Sequence, residues 1–180
     1  MKEKKQIIEN SLVNLMDEYR FREITIKMLC TEANINRSTF YAYYLDKYDL
    51  LDSMIDFHIE NIINMVKTKT EGITNAQNKQ IYVKNYINAL FQYIYENQRF
   101  FKILITKHPA QNFTQKLIGS LRQSYSEIIN QFHLKNPDYF VNYTIGGQFG
   151  VLFFWLQQDC KEHPCEISDI VFNNILKTNR

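Results

Sequence analysis

The chain has 180 residues, of which 45% are apolar and 22% charged; this is typical of a folded globular protein and excludes a disordered chain. Its 5 glycines and 3 prolines favour long helices over a β-sandwich or barrel. The sequence has no apolar run long enough to predict a membrane span and no signal-peptide pattern. Together with the presence of only 3 cysteines, this predicts a reducing, cytoplasmic location. The formal net charge is +2, and residues 1–50 contain equal numbers of cations and anions, so bulk charge alone does not predict nucleic-acid binding.

Two helices are predicted at the start of the chain. Apolar residues recur at helical spacing over residues 3–19, with charged residues between them. Thr25 is a suitable N-cap for a short second helix, because its hydroxyl can accept a hydrogen bond from an unpaired backbone N–H. Asn34 follows that helix, where chains often turn through the left-handed region, which Asn tolerates better than most residues. The second helix is therefore expected to end in a tight turn.

A third short helix and a long fourth helix are predicted next. Asn36 is a suitable N-cap for a helix over Arg37–Tyr44, and Asp46 for one that begins near Lys47 and runs to about residue 67. The apolar residues of the fourth helix that are expected to face inward are Leu50, Leu51, Met54, Phe57, Ile62 and Met65.

The remaining residues are predicted to form further helices separated by a loop and by the prolines. Residues 68–78 are polar and predict a loop. Asn136 and Pro137 predict a helix start, with Asn as the N-cap and Pro in the first turn. The predicted helices cover residues 81–97, 99–106, 112–132, 139–156 and the segment after Pro164. Because no strand pattern persists, the predicted fold class is all-α, with about nine helices.

The second and third predicted helices, joined by a short turn, indicate a helix-turn-helix. Phe40 and Tyr44 are four residues apart and share a face that can pack inward. Arg37, Ser38 and Tyr41 lie on another face, which offers a guanidinium, a hydroxyl and a phenol. Arg binds guanine edges with two hydrogen bonds, and hydroxyls bind phosphates or bases. The pattern therefore predicts that the third helix lies in the DNA major groove.

Residues 24–51 resemble the DNA-binding signature of the TetR family. The likeness covers the Thr cap, the turn, the Thr-Phe-Tyr-x-Tyr run and the Lys-x-x-Leu-Leu start of the fourth helix. The sequence departs from the signature at three positions: Asn34 replaces the turn Gly, Asn36 replaces a Ser or Thr cap, and Cys30 replaces a small Ala. All three substitutions are physically compatible with the motif.

The resemblance implies a role for individual residues of a DNA-binding domain at residues 1–47. The residues implied to read bases are Arg37, Ser38 and Tyr41. The residues implied to hold phosphates are Thr25, Thr39, Tyr43 and Lys47, while Lys27 approaches the backbone or a base edge. Much of this contact is made by hydroxyl and amide groups, which agrees with the neutral charge of the N-terminal third. The resemblance implies that the partner is double-stranded DNA and that a homodimer binds it at a palindromic operator. It also implies a repressor more often than an activator.

Residues 48–180 are implied by the resemblance to form a dimerisation domain, which often binds an effector. Gly146, Gly147 and Gly150, followed by a Trp-Leu pair, resemble a subtype of low-GC Gram-positive regulators that includes relatives of the activator of dihydroxyacetone kinase operons. Gly costs roughly 1 kcal/mol in a helix interior relative to Ala, so three of them indicate a packing role. That role is either close contact across a dimer or a packing groove within one chain.

The sequence does not decide whether such a regulator is controlled by a small-molecule effector or by a partner protein. An effector pocket is expected to be largely apolar and lined by the fourth helix and the helices over 81–97, 112–132 and 139–156. A solid core without a cavity is the alternative, and it would favour control by a protein partner. A further alternative is an interaction protein of the same fold that does not bind DNA.

Cys160, His163 and Cys165 form a cluster of soft metal ligands, but no fourth ligand is evident nearby. The favoured interpretation is a connecting loop with incidental thiols, so neither a metal nor a cofactor is predicted. His58 is isolated and carries no motif. The sequence contains no glycine-rich phosphate loop, no Ser–His–Asp motif and no metalloprotease His pair, and it therefore does not predict an enzyme.

Overall fold

The computed structural model describes residues 2–71, 79–107, 111–129 and 135–178, and within these ranges it contains nine α-helices and no strand. The all-α prediction is confirmed. The helices are α1 (Lys2–Glu18), α2 (Ile26–Glu32), α3 (Arg37–Tyr41), α4 (Lys47–Thr70), α5 (Lys79–Glu96), α6 (Gln98–Lys102), α7 (Gln111–Ile129), α8 (Pro137–Gln157) and α9 (Pro164–Thr178). A 3₁₀ turn at Phe21–Glu23 precedes α2, and a π-helical turn at Ile103–Lys107 continues α6.

Side-chain caps fix the ends of the short N-terminal helices, as the sequence predicts. The Thr25 hydroxyl accepts a hydrogen bond from the backbone N–H of Met28 at 3.2 Å. The Asn36 side-chain oxygen accepts from the N–H of Thr39 at 2.7 Å. Asn34 has a φ of 49°, in the left-handed region expected for this turn. These local bonds let helices of one or two turns persist despite the cost of helix nucleation.

The helix α4 belongs to both parts of the fold. Its first turn is capped by the Asp46 carboxylate, which accepts from the N–H groups of Tyr48 and Asp49 at 2.7 and 2.9 Å. Its apolar residues then pack first on α1 and later on α5 and α7. The prediction that Phe57 faces inward is wrong, because its side chain is 59% exposed. The neighbouring His58 is buried in its place, because the buried stripe of α4 passes through His58.

The C-terminal helices form a bundle in which α5 packs on α4 and α9, and α7 packs on α4 and α8. The largest fully buried side chains of this core are Trp155, Phe91, Phe101 and Phe113. The last helix begins at Pro164, as predicted, and α8 begins at Pro137, but Asn136 makes no side-chain cap. Its φ of 59° places it in a left-handed turn instead, so the predicted capping role is wrong.

Three predicted boundaries differ from the structure or lie outside it. The loop predicted for residues 68–78 begins later, since α4 continues to Thr70, and residues 72–78 are outside the described ranges. The predicted third helix is shorter, because regular α-helix ends at Tyr41. The helix predicted over 99–106 corresponds to α6 and the π-helical turn that continues it, while the end of the helix predicted over 112–132 falls in residues 130–134, which are also outside the described ranges.

Two ion pairs hold α1 against the bundle. The Asp17 carboxylate of α1 accepts from the Arg99 guanidinium at 2.8 Å and from the Lys107 ammonium at 2.6 Å. Partial burial acts to raise the pKa of Asp17, but the hydrogen bonds from Lys107 and Arg99 outweigh it and hold that pKa below its usual value. The orientation of the first helix is therefore tied to the corner where α5 ends and α6 begins.

Candidate nucleic-acid interface

Helices α2 and α3 form a helix-turn-helix whose outer face is exposed. The turn between them is closed by backbone bonds from Asn34 N–H to Thr31 O at 3.2 Å and from Ile35 N–H to Cys30 O at 3.0 Å. Phe40 is completely buried beneath α3. Burial of this one residue fixes which side of the short helix faces solvent, and that side carries Arg37, Ser38 and Tyr41.

The predicted site residues divide into an exposed group and a half-buried group. The exposed residues are Thr25, Lys27, Arg37, Ser38 and Tyr41. The half-buried residues are Thr39, Tyr43 and Lys47. All eight lie within 23 consecutive residues, and the exposed group is divided between the start of α2 and the outer side of α3.

The base-reading residues predicted on α3 are supported by neighbours. The Ser38 hydroxyl donates to the side-chain oxygen of Asn36 at 2.7 Å, which keeps it beside the helix N-terminus. The Tyr41 ring lies edge-on to the Phe40 ring, with centroids 5.6 Å apart. The Tyr41 phenol is thus oriented by packing while more than half of its side chain is exposed. A helix whose exposed side chains are already restrained loses less conformational entropy when it binds a partner.

The Lys47 ammonium has three internal partners. It donates to the backbone carbonyls of Phe21, Arg22 and Ile24 at 2.9, 2.9 and 2.7 Å. It also lies 5.0 Å from the centre of the Phe21 ring. Partial burial lowers the pKa of Lys47, and the nearby Asp46 charge opposes that shift. All three ammonium protons are therefore used inside the DNA-free protein, and the phosphate contact that the resemblance implies for Lys47 stays a prediction.

Two exposed residues beside this surface were not anticipated from the sequence. Leu45 is 81% exposed, and Tyr48 lies in the first turn of α4 with its ring edge-on to Phe21 at 5.3 Å. Asp49 fixes this corner, because its carboxylate accepts from the Leu45 N–H at 2.8 Å. Tyr48 lies three residues before the buried Leu51 and so continues the apolar stripe of α4 by spacing, while Leu45 precedes the helix, so no local sequence pattern marks either residue as exposed.

A second exposed surface lies on α8. Tyr139, Tyr143, Gly146, Gly150 and Phe153 recur at spacings of four and three residues, and all five are exposed. Among the residues that the structure describes, a Cβ atom built on either of these glycines has no atom within 4 Å. The described part of the chain therefore does not pack against these glycines, and close contact across a dimer stays a prediction.

The core of the bundle contains one small cavity at the predicted place. It is lined by apolar residues of α4, α5, α7 and α8 together with Phe101 of α6 and Gln148, and its volume is about 30 Å³. That space holds about one water molecule, whereas ligand pockets span roughly 300–1,000 Å³. The lining agrees with the sequence-based prediction, but the core is close to solid.

A buried polar chain leads from the core to α8, and sequence reasoning missed it. The Tyr125 hydroxyl lies 2.8 Å from the Tyr86 hydroxyl and 2.8 Å from the Gln148 side-chain oxygen. A phenol has one proton, so Tyr125 donates to Gln148 and accepts from Tyr86. Burial is the main cause that raises the pKa of Tyr125 to about 12, so the phenol stays protonated at neutral pH. The three residues are far apart in sequence, which hides the network from any local pattern.

The cysteine and histidine cluster does not form a metal site among the described residues. His163 Nδ1 lies 3.0 Å from the Cys165 sulfur, while Cys160 is buried. No group of three or more potential metal ligands occurs in the described ranges. None of the helices in those ranges combines the length and the hydrophobicity that a membrane span requires.

Residues 82–177, more than half of the chain, match the family described as the transcriptional regulator C-terminal region of TetR proteins. The chain belongs to the TetR family of transcriptional regulators. The match covers α5 to α9, which complements the N-terminal signature at residues 24–51. Members of this family are regulators of transcription, not a class of enzymes.

Individual relatives agree with the family assignment. The HTH-type transcriptional regulator YxbF of Bacillus subtilis is 18% identical over 176 residues, which is 92% of this chain and 43% of that protein. The chain spans less than half the length of the curated relatives it matches. The fatty acid degradation regulator FadR of Bacillus halodurans has a similar structure, with a TM-score of 0.75, 15% identity, and coverage of 96% of this chain and 94% of that chain.

The dihydroxyacetone kinase operon activator DhaS has a TM-score of 0.69 and 16% identity, with coverage of 97% of this chain and 95% of that chain. At this identity the likeness shows the fold alone. The TetR assignment is therefore established, and the finer subtype suggested by the glycines of α8 remains a prediction.

Proposed function

We propose that this TetR-family protein is a homodimeric repressor that binds a palindromic operator through α3. The observation that carries the proposal is the outer face of α3, where Arg37, Ser38 and Tyr41 are exposed while Phe40 anchors the helix from beneath. The guanidinium can bind a guanine edge with two hydrogen bonds, and the hydroxyl and phenol can bind further base or phosphate groups. We assign DNA binding to residues 1–47 and dimerisation to residues 48–180.

Phosphate contacts are assigned to the exposed or half-buried hydroxyls around α3. The Thr25 oxygen accepts a backbone bond, which leaves its proton free to donate to a phosphate at the start of α2. Thr39 and Tyr43 flank the reading face and take the same role, and Lys27 supplies an exposed cation. Lys47 is instead assigned a positioning role, because its ammonium joins the start of α4 to the turn that precedes α2.

The dimer is assigned to α8 and α9. The α8 stripe offers two glycines between large exposed side chains, and Ile170 of α9 adds a further exposed apolar group. Such a surface suits the close approach of a second helix, as in a two-fold four-helix interface. A dimer of this kind would present its two α3 helices to successive major grooves, about 34–36 Å apart.

Selection from a random DNA pool tests the proposal. The full chain should enrich an inverted repeat, and Arg37→Ala should lower affinity for the selected site by about 10- to 100-fold and relax specificity at one base pair of each half-site. Lys161→Ala is the matched control, because Lys161 is an exposed cation far from α3 in sequence. Failure to enrich any DNA sequence would favour the alternative of an interaction protein that does not bind DNA.

A further inference from the structure

The start of α9 carries an exposed cysteine, whereas the other two cysteines of the chain are buried. Cys165 is the second residue of α9, directly after Pro164, and its side chain lies on the surface. Burial is the main cause that raises the pKa of Cys160 to about 11, and it raises the pKa of Cys30 as well. These two thiols are therefore protonated at neutral pH and shielded from solvent, which leaves Cys165 as the thiol that a solute can reach.

A histidine base lies against this exposed thiol. His163 Nδ1 is 3.0 Å from the Cys165 sulfur, and it also accepts a hydrogen bond from the Cys165 backbone N–H at 3.4 Å. An atom that accepts from an N–H carries an unprotonated lone pair, so the thiol is the donor in the contact between the sulfur and Nδ1. The two side chains thus have the arrangement of a nucleophile beside a general base, which can take the thiol proton as the sulfur reacts.

The first turn of α9 holds this pair in place. The His163 carbonyl accepts from the N–H groups of Glu166 and Ile167 at 2.9 and 3.3 Å. The Glu166 carboxylate in turn accepts from the His163 N–H at 3.2 Å, and this reciprocal cap fixes the backbone between the base and the thiol. Helix α9 has 15 residues, and the unpaired N–H groups at its start favour the negative charge that develops on the sulfur. The geometry and the electrostatics therefore both assist the loss of the thiol proton.

The pair lies away from the side of α9 that we assign to the dimer. Ile170 is the exposed apolar residue that α9 adds to the proposed dimer surface. Cys165 precedes it by five residues, which places the two side chains about 140° apart around the helix axis. The proposed dimer surface therefore does not include Cys165, and we expect the thiol to be accessible whether or not the chain forms a dimer.

The surroundings of the thiol favour an addition reaction over the formation of a disulfide within the chain. A disulfide needs a second thiol within reach and an oxidant, but Cys30 and Cys160 are buried. Addition to a carbon–carbon double bond needs neither a second thiol nor a leaving group. It needs a nucleophile, a base that takes the proton, and access for the electrophile, and Cys165 and His163 supply all three.

We propose that Cys165 and His163 form a modification site for small α,β-unsaturated carbonyl compounds. The thiol proton passes to His163 Nδ1, and an electron pair of the sulfur forms a bond to the β-carbon. The π electrons of the double bond move toward the carbonyl to give an enolate. The α-carbon of the enolate then takes a proton from the imidazolium, which returns to neutral imidazole. The product is a thioether that retains every atom of both reactants, and the reaction does not depend on the proposed DNA binding.

Reaction of the folded, DNA-free chain with N-ethylmaleimide, a cyclic α,β-unsaturated carbonyl compound, tests the proposal. Intact mass and peptide mapping should show one fast adduct per chain, at Cys165, and no adduct in Cys165→Ser. His163→Gln should slow the reaction at pH 7 at least about tenfold, because an amide is not a base. Lys161→Ala is the matched control: it removes an exposed neighbouring charge but leaves the base, so the rate should stay within about a factor of two.

The pH dependence of the rate distinguishes a base from a merely structural neighbour. An unassisted thiol reacts only as its thiolate, so the rate for His163→Gln should fall about tenfold for each pH unit between pH 8 and 6. The rate for the unaltered protein should fall less steeply, because the imidazole takes the proton as the sulfur attacks. A first adduct on Cys30 or Cys160, equal rates for His163→Gln and Lys161→Ala, or the same steep pH dependence with and without His163 would overturn the proposal.

Discussion

The helix-turn-helix and the C-terminal bundle differ in how their surfaces are specified. In the helix-turn-helix each exposed candidate residue lies within a few residues of the cap that supports it, such as Ser38 beside Asn36. In the bundle, which side of α8 is exposed depends on where helices distant in sequence pack against it, and the exposed surface is the side that they do not cover. A local surface can be predicted from spacing and side-chain chemistry, whereas a surface defined by long-range packing requires the fold.

The largest expected effect is the loss of the proposed dimer through a substitution on α8 that leaves the fold of the single chain intact. Gly150→Leu places a side chain where a Cβ atom meets no atom of the described residues within 4 Å, so the monomer should fold and its helix should gain roughly 1 kcal/mol from the loss of glycine. If α8 forms the dimer, the same side chain holds the partner helix away. We expect dimer affinity to fall by at least about 100-fold, since overpacked interfaces lose several kcal/mol.

Gly119→Leu is the control for that prediction. Gly119 lies on α7, and its Cβ position is equally open, but it is outside the α8 stripe. Sedimentation velocity should show a dimer for Gly119→Leu and a monomer for Gly150→Leu at micromolar concentration. A dimer in both variants would remove the α8 interface from the account.

The next effect separates a positioning lysine from a phosphate-binding lysine. Lys47→Ala removes three charge-assisted hydrogen bonds to backbone carbonyls and should lower the free energy of unfolding by about 1–3 kcal/mol. Urea unfolding of the DNA-free protein measures this loss. Lys27→Ala, at an exposed position, should change stability by less than about 0.5 kcal/mol but flatten the salt dependence of DNA binding.

The opposite result for Lys47 would restore the phosphate role that the TetR resemblance implies. In that case Lys47→Ala leaves unfolding unchanged and reduces the slope of affinity against salt. The two roles make opposite predictions for the free protein, so one denaturation series decides between them.

A smaller effect concerns the pH dependence of the junction between the two units. The folded pKa of His58 is about 4, against an ordinary value of 6.5, so the unfolded chain binds this proton more tightly. Stability should therefore be full above pH 6.5 and decline as the pH falls toward 4, by about 1–2 kcal/mol between pH 7.5 and 5. Urea unfolding at both pH values should show a smaller decline in His58→Gln, and an equal decline would show that other groups cause it.

The smallest predicted effect is at the ion pairs between α1 and the bundle. Asp17→Asn loses the charge that pairs with Arg99 and Lys107, but the groups are partly exposed, so unfolding free energy should fall by about 1 kcal/mol or less. The effect should shrink further in high salt. A loss that is large and independent of salt would show that the junction depends on more than these charges.

The N-terminal caps were predictable because they depend on neighbouring residues alone. Thr25, Asn36 and Asp46 each bond to a backbone N–H two or three residues away. Phe57 and His58 were not predictable, because one step along α4 decides which of two adjacent residues faces the core. The Lys47 contacts also escaped prediction, since its partners lie more than twenty residues earlier in the chain.

A comparison of full-site and half-site DNA tests the central claim most directly. Fluorescence anisotropy at one fixed salt concentration would measure the affinity of the full chain for the selected inverted repeat and for a duplex that retains one half of it. If two α3 helices joined through α8 and α9 read the site, the full repeat should bind at least about 100-fold more tightly. Equal affinity for the two duplexes would contradict a dimer that reads both halves.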